Sequence, residues 1–323
     1  MKALLCKQYG TPDCLIVEDI APLVPKAGEV VISVKSCGVN FPDTLIIQGK
    51  YQFKPDFPFA PGGEVAGVIK KVGEGVMHLK VGYDVFAMPG WGGFAEELAV
   101  KAHRVFRMPP KMDYQVASSL MYTYGTSYHA LKDRAELKAG ETLLVLGAAG
   151  GVGLAAVNLG KIMGAKVIAA ASSDEKLDLC KSYGADAVIN YSKEDLRERL
   201  KEITGGGVDV IYDPVGDKYA EPALRAMNWK GRYLVVGFAA GQIPTIPLNL
   251  ALLKGCAIVG VFWGAFAERE PKANFQNITE LFQWSQTGEL KPHIQKTYSL
   301  EEAPQALYDM LERRAMGKLV VVP

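Results

Sequence analysis

The strongest chemical signal in the chain is the string Gly147-Ala148-Ala149-Gly150-Gly151-Val152-Gly153. It directly follows a continuous apolar run over 142–146 and precedes a helix candidate over 151–163. Glycines in that place let the backbone turn tightly and approach a pyrophosphate. The free N–H groups and positive potential of the helix start then favour the anion. The chemistry expected of Gly150, Gly151 and Val152 is therefore dinucleotide binding. Gly205-Gly206-Gly207 sits between a helix and a strand instead, and reads as a turn.

The identity of the dinucleotide follows from the next strand, 166–170. NAD sites carry an acid about 20 residues past the loop, where it holds the ribose 2′-hydroxyl. Here that position falls on Ala171-Ser172, which are small and uncharged. A small residue leaves room for a 2′-phosphate, Lys176 can supply positive charge, and Tyr191 can supply a hydroxyl donor. The cofactor expected is NADPH. The plain alternative makes Lys176 a solvated helix residue. Asp174 places an acid nearby and is expected to cap the following helix.

In parallel βα sheets, ligands lie at the carboxyl ends of the strands. Val215, Gly237 and Phe238 follow the fourth and fifth predicted strands and should border the ribose and nicotinamide. Phe262, Trp263 and Gly264 follow the sixth and are placed at the cofactor and substrate cleft. No metal is expected: the four histidines (His78, His103, His129 and His293) are dispersed, and no two of the five cysteines form a CxxC.

These residues need a scaffold. From about residue 117 a helix over 115–132 leads into alternating strands (142–146, 166–170, 187–189, 208–212, 233–236, 258–261) and helices (151–163, 174–183, 193–203, 219–228). That order predicts an α/β doubly wound parallel sheet. The first third is rich in glycine, proline and short β-branched runs (29–34, 63–70, 84–87), the texture of irregular antiparallel β structure. The tail adds amphipathic helices over 274–286 and 301–314 and a last strand over 318–322. That strand is expected to return to the first domain, with Lys318 as a weaker cofactor candidate.

Lys+Arg number 36 and Asp+Glu 35 in 323 residues, a net charge of +1, which gives no sign of a nucleic-acid partner or a polybasic membrane surface. Hydrophobic residues make up 49% and charged residues 22%, a globular profile. No apolar run approaches the roughly 18 residues of a membrane span. Reduced cysteines and the short apolar stretch Ala3–Cys6 predict a cytoplasmic protein. The apolar run 258–262 is an edge-strand candidate whose pairing across a two-fold axis predicts a homodimer.

Asn40-Phe41-Pro42-Asp43, Pro61-Gly62-Gly63-Glu64, the glycine string, Asp213-Pro214-Val215-Gly216 and Gly237-Phe238 together resemble the zinc-free quinone oxidoreductase branch of the medium-chain dehydrogenase/reductase superfamily. The resemblance spans essentially the whole chain. It implies a discontinuous GroES-like β-rich catalytic domain (1–118 and 265–323) and a Rossmann domain (119–264). Relative to the zinc alcohol dehydrogenases of that superfamily, Asn40 and Gly63 stand where two zinc ligands would be, and Tyr122 or a neighbour stands near the third.

The resemblance also implies roles. Asn40 orients the nicotinamide carboxamide or a substrate oxygen, with Asp43 in the same polar network; the plain alternative is a loop asparagine bonding its own backbone. Thr126 contacts the cofactor near nicotinamide. The segment 46–51 resembles that of zinc-free 2-enoyl thioester reductases, whose matching tyrosine protonates or orients substrate. Tyr51 is thus a candidate proton donor to an enolate, against simple packing beside Phe53 and Phe57. The expected activity is NADPH-dependent reduction of a quinone or other conjugated carbonyl. The alternatives are an enone or 2-enoyl thioester (enoyl-CoA) reductase and a non-catalytic NADPH-binding protein.

Overall fold

Long β-branched runs broken by turn glycines build the first unit as antiparallel sheet. The computed structural model describes all residues, Met1–Pro323. The strands are β1 (Lys2–Cys6), β2 (Leu15–Asp19), β3 (Glu29–Val39), β4 (Glu64–Val72), β5 (Asp84–Ala87), β6 (Glu97–Lys101) and β7 (Val105–Arg107). β1 and β2 form a separate hairpin, and β3 is the centre, pairing antiparallel with both β4 and β6. Eleven residues long and mostly buried, β3 supplies Val30, Ile32, Val34 and Val39 to the core. Gly67 is obligatory where β3 and β4 shift register, because a Cβ there would lie 2.1 Å from the Ser33 carbonyl oxygen. Helix α1 (Phe41–Ile46) follows β3, and α2 (Tyr114–Leu120) closes this part of the chain.

The helical segment expected over 115–132 continues through two π-helical stretches, Met121–Gly125 and His129–Arg134, on either side of α3 (Thr126–Tyr128). Beyond it come β8 (Thr142–Leu146), α4 (Gly151–Ile162), β9 (Lys166–Ala171), α5 (Asp174–Ser182), β10 (Ala187–Asn190) and α6 (Leu196–Thr204). Then follow β11 (Val208–Asp213), α7 (Ala220–Arg225), β12 (Met227–Val235), α8 (Asn249–Lys254), β13 (Ala257–Gly260), α9 (Trp263–Arg269) and α10 (Pro271–Gln286). The six strands form one parallel sheet in the order β10-β9-β8-β11-β12-β13. Strand order reverses between β8 and β11, the switch point where such sheets bind ligands. Leu144, Leu146, Ile168, Ile211 and Tyr233 are buried on this sheet, as the unbroken apolar runs require.

The chain ends with β14 (Ile294–Ser299), α11 (Ala303–Leu311) and β15 (Lys318–Val322). β15 pairs antiparallel with β3, Leu319 opposite Val39 and Val321 opposite Cys37, so the expected return is present. The two units are Met1–Tyr122 with Pro292–Pro323, and Thr123–Lys291.

Three expectations need correction. Residues 265–291 were expected in the first unit but cluster with the second. Polar contacts hold them there: Trp263 Nε1 donates to Asn274 Oδ1 at 3.1 Å, Lys132 Nζ to Glu280 Oε2 at 2.6 Å and Asn277 Nδ2 to Asp133 Oδ2 at 2.7 Å. The helix expected over 219–228 stops at Arg225, because Met227 is already in β12, opposite Val208 and buried. The helix expected from 193 begins at Leu196, where the Asp195 carboxylate accepts from Glu198 N at 2.9 Å and sets the cap.

Candidate active site

At the end of β3 the first unit buries a polar cluster. Lys318, on β15, is 3% exposed and Glu64, on β4, is fully buried. Their ion pair is 3.2 Å long. Lys318 Nζ also donates to Asn40 Oδ1 at 2.7 Å and to the Val39 carbonyl at 3.0 Å. Asn40 Nδ2 donates to Glu64 Oε2 and to the Gly38 carbonyl, both at 3.2 Å. The other carboxylate oxygen of Glu64 accepts from Tyr122 N at 2.9 Å. Gly38 makes room for this cluster, since a Cβ there would lie 2.0 Å from the Ser118 carbonyl oxygen and 3.1 Å from both Glu64 Oε2 and Lys318 Nζ. Every charged group is paired and hydrogen-bonded, as burial demands.

The chemistry of the partners fixes the Asn40 amide. An ammonium only donates, so the amide oxygen must face Lys318. Both Nδ2 hydrogens are spent on Glu64 and Gly38. Asn40 therefore presents its amide oxygen as an acceptor and has no donor to spare. Its backbone N donates to Asp43 Oδ2 at 2.8 Å at the start of α1. Asp43 Oδ1 accepts from Gly62 N at 3.1 Å, so the expected Asn40–Asp43 network exists. Burial is the main influence on the Asp43 carboxyl and pushes it up to about 6, against the lowering effect of those two N–H groups and Lys318.

Tyr51 packs partly buried on the same core, with its ring 5.9 Å from Phe53 in an edge contact. The packing reading therefore holds as far as it goes. Tyr51 also shares a hydrogen bond with the Tyr122 hydroxyl. Burial raises both phenols, Tyr122 well above the ordinary range. Both are held protonated and able to donate.

In the second unit the glycine string bends from β8 into α4. Gly147 turns with φ 56°, and a Cβ on it would lie 2.6 Å from Val215 Cγ2. Gly153 packs the helix onto the turn, where a Cβ would meet the Gly147 carbonyl oxygen at 2.3 Å. Gly150, the residue before the helix, has only one atom within reach of its missing Cβ and offers no side-chain cap. The opening N–H groups of α4 thus have neither an intrahelical acceptor nor a capping oxygen, which suits them to a pyrophosphate.

Two neighbouring loops are shaped around this turn. Asp213 Oδ1 accepts from Val215 N at 2.7 Å and Gly216 N at 2.8 Å. Phe238 lies against Gly216, and Gly237 lies over Pro214. Val215, Gly237 and Phe238 are therefore brought together beside the glycine string. Thr126 opens α3, whose next residue, Ser127, donates to the Val152 carbonyl at 2.8 Å and bonds the Tyr212 hydroxyl at 2.9 Å.

At the end of β9, Ser172 Oγ lies 3.5 Å from Lys176 Nζ. Tyr191 reaches the same strand end through its backbone N, 3.2 Å from the Ala171 carbonyl, and its ring lies tilted against Tyr219, with centroids 4.4 Å apart. Ser172 and Lys176 thus meet at this strand end, and Tyr191 is joined to it through its backbone. Ser173, not Asp174, caps α5. Asp174 is instead tied to Asn190 Nδ2 and Lys193 Nζ, both at 2.6 Å, so its charge is neutralised locally. Phe262 is half exposed, whereas Trp263 is buried under Gly125, where a Cβ would lie 2.8 Å from its ring.

Residues 26–110 match the alcohol dehydrogenase GroES-like domain family, and residues 151–284 match the zinc-binding dehydrogenase family. Quinone oxidoreductase-like protein 2 of Bos taurus is 38% identical over 322 residues, 99% of this chain and 92% of the relative. The crystal structure of Escherichia coli quinone oxidoreductase complexed with NADPH superposes with a TM-score of 0.94 at 30% identity, over the whole of both chains. The chain belongs to the quinone oxidoreductases of the medium-chain dehydrogenase/reductase superfamily. The crystal structure of CurK enoyl reductase is also similar, with a TM-score of 0.88 at 28% identity, covering 99% of this chain and 98% of that one.

As a quinone oxidoreductase family member, the chain is an oxidoreductase whose site has members that sequence reasoning missed. Glu64 and Tyr122 had entered only as landmarks next to absent zinc ligands, yet Glu64 organises the buried cluster. Ser127, Tyr212 and Asp213 had no motif to announce them. Lys318 was expected only as a weak cofactor contact; its Gly317-Lys318 step at the start of an apolar strand was the available signal. No three His, Cys, Asp or Glu side chains are grouped as a metal site, and no helix is long and apolar enough to cross a membrane.

Proposed function

We propose that this chain catalyses zinc-independent, NADPH-dependent reduction of a quinone or other conjugated carbonyl. The observation that carries the reading is the protonated Tyr51–Tyr122 pair in the same unit as an Asn40 amide locked as an acceptor. Such groups serve proton delivery and cofactor orientation, and need no Lewis acid.

Gly150, Gly151 and Val152 hold the pyrophosphate on the open N–H groups of α4. Ser172, Lys176 and Tyr191 receive the 2′-phosphate, and Lys176 supplies a charge-assisted hydrogen bond. Thr126, Val215, Gly237 and Phe238 border the ribose and nicotinamide, with Phe262, Trp263 and Gly264 further along the cofactor. Asn40 accepts from the carboxamide N–H₂ and so sets the ring's orientation; having no free donor, it does not polarise the substrate oxygen. When bound, NADPH supplies the hydride. Tyr51 then donates its proton to the reduced substrate, and Tyr122, bonded to it, keeps the hydroxyl aimed.

A second reading has one specific support. The Tyr51 segment resembles that of 2-enoyl thioester reductases, and the CurK structure carries the name enoyl reductase. In this reading Tyr51 protonates the enolate of an enoyl thioester. NADPH oxidation by the purified chain against benzoquinones, simple enones and 2-enoyl-CoA thioesters separates the two. Highest kcat/KM on the quinones is expected; turnover confined to the thioesters would replace the first reading by the second, and no turnover on any would sink both.

We also propose a cytoplasmic homodimer formed through β13. This strand ends the sheet with Ala257, Ile258 and Gly260 exposed, and Leu252 and Leu253 of α8 are exposed as well. An open apolar strand edge is a template for pairing. Sedimentation equilibrium should give a dimer, converted to monomer by Ile258→Lys.

A further inference from the structure

Two thiols outside the site converge on one carbonyl. Cys6 ends β1, and Cys14 ends the short turn Pro12–Cys14 that leads into β2. Cys6 Sγ lies 3.2 Å from the Gln8 carbonyl oxygen, and Cys14 Sγ lies 3.5 Å from the same atom. Each thiol thus donates toward the same acceptor.

Their backbones are held in place. Cys6 exchanges two hydrogen bonds with Phe59, at 2.7 and 3.1 Å, and pairs with Leu15, the residue after Cys14. Cys14 N bonds the Thr11 carbonyl at 3.0 Å, and the Tyr308 hydroxyl grips Asp13. Cys14 therefore adjoins the cross-strand partner of Cys6, and both thiols already converge on one carbonyl oxygen; a disulfide joins residues whose Cα atoms lie about 4.4–6.8 Å apart. Side-chain rotation is therefore the main adjustment that an S–S bond would need.

We propose that Cys6 and Cys14 are a peroxide-oxidisable dithiol site that closes to an intrachain disulfide across the first hairpin. Cys6 is fully buried and Cys14 half-buried, so Cys14 is the sulfur an oxidant reaches. The Cys14 thiolate attacks the O–O bond of hydrogen peroxide. A sulfenic acid forms, and the departing hydroxide takes a proton from solvent to become water. The Cys6 sulfur then attacks the sulfenic sulfur; hydroxide leaves and takes up the Cys6 proton as a second water. Two thiols lose two electrons, one peroxide gains them, and one S–S bond forms. Burial pushes the Cys6 thiol up to about 12, which makes this second step the slow one. The staple would enclose Tyr9, whose ring lies against Gly49 and, in an edge contact at 4.7 Å, against Phe57.

The test uses the full chain, treated with hydrogen peroxide in slight excess, quenched with N-ethylmaleimide in denaturant and digested with trypsin without reduction. Cleavage at Lys7 separates the two cysteines, so the disulfide appears as the peptide 3–7 joined to the peptide 8–26 and disappears with dithiothreitol. That joined species should be the main oxidised product in the wild type, while Cys14→Ser should give Cys6 fully alkylated. The proposal is overturned if both wild-type peptides are recovered separately, whether both are alkylated or Cys14 alone carries a sulfinic acid. Cys6 linked instead to Cys37, Cys180 or Cys256 would overturn it as well.

Discussion

Lys318 Nζ stands 2.7 Å from Asn40 Oδ1 and decides which way that amide points. The contact joins the last strand to the end of β3, with 278 positions of sequence between them. The ammonium also neutralises Glu64, which has no access to water.

Lys318→Met should therefore cost stability well beyond the lost contacts. It leaves a buried carboxylate without its cation, a change that typically costs about 3–5 kcal/mol. Urea unfolding should show a loss in that range, and the double variant Lys318→Met, Glu64→Gln should recover part of it. A loss below about 1 kcal/mol in the single variant would mean that the pair behaves as a surface salt bridge.

Two glycines at the start of α4 should respond differently to alanine. At Gly153 a methyl would meet a carbonyl oxygen at 2.3 Å, so Gly153→Ala should lower both the melting temperature and NADPH affinity. At Gly150 the only atom within range lies 3.4 Å away, so Gly150→Ala should fold normally and lose NADPH affinity alone. Differential scanning fluorimetry with and without NADPH reads both effects. Unchanged affinity in Gly150→Ala would show that no ligand comes close to that backbone.

The contrast between these glycines shows what could be read from sequence. The βα order, the loop and the returning last strand were legible because each is a local pattern: an apolar run, a glycine string, a β-branched tail. Residues 265–291 were misassigned because their allegiance lies in contacts such as Lys132–Glu280, which leave no periodic trace. The buried cluster was half legible. Asn40 and Asp43 sit in one short motif, but Glu64 and Lys318 join them only through pairing of β3 with β4 and β15. Asp174 was misread as a cap because Ser173, equally fit for the role, stands one residue earlier.

Selectivity for the phosphorylated cofactor should depend on Lys176. Lys176→Ala removes a charge-assisted hydrogen bond from the proposed 2′-phosphate pocket, a loss of about 1.5–3 kcal/mol, or roughly tenfold to a hundredfold in affinity. Isothermal titration should show that loss for NADPH and little change for NADH. An equal loss for both would place Lys176 elsewhere on the dinucleotide.

Asp43 gives a pH signature whose sign is unusual for a carboxylate. Its folded pKa is raised from 3.8 to about 6, so the folded state holds the proton more tightly than the unfolded state. The stabilising contribution is complete below the unfolded value and is lost as pH rises through about 6. The shift corresponds to about 3 kcal/mol. Relative to Asp43→Asn, the wild type should lose roughly that much between about pH 4 and about pH 7 in urea unfolding. A wild-type advantage that grows with pH would reverse the assignment, with the ionised form then being the favoured one.

Tyr51 and Tyr122 distinguish chemistry from packing most directly. Tyr51→Phe keeps the ring against the core and removes only the hydroxyl. If that hydroxyl delivers the proton, kcat on an enone should fall by about a hundredfold, the lower range for general acid catalysis, with the Kd for NADPH unchanged. Tyr122→Phe removes the partner but leaves the donor, so a smaller fall of about tenfold is expected, from one lost hydrogen bond. Quinones give a useful contrast, because a hydroquinone anion is a weak base and can take its proton from water. Their kcat should drop less in both variants. Stopped-flow NADPH oxidation with one enone and one benzoquinone gives all four numbers, and a Tyr51→Phe enzyme with undiminished enone turnover would leave the residue a packing role beside Phe53.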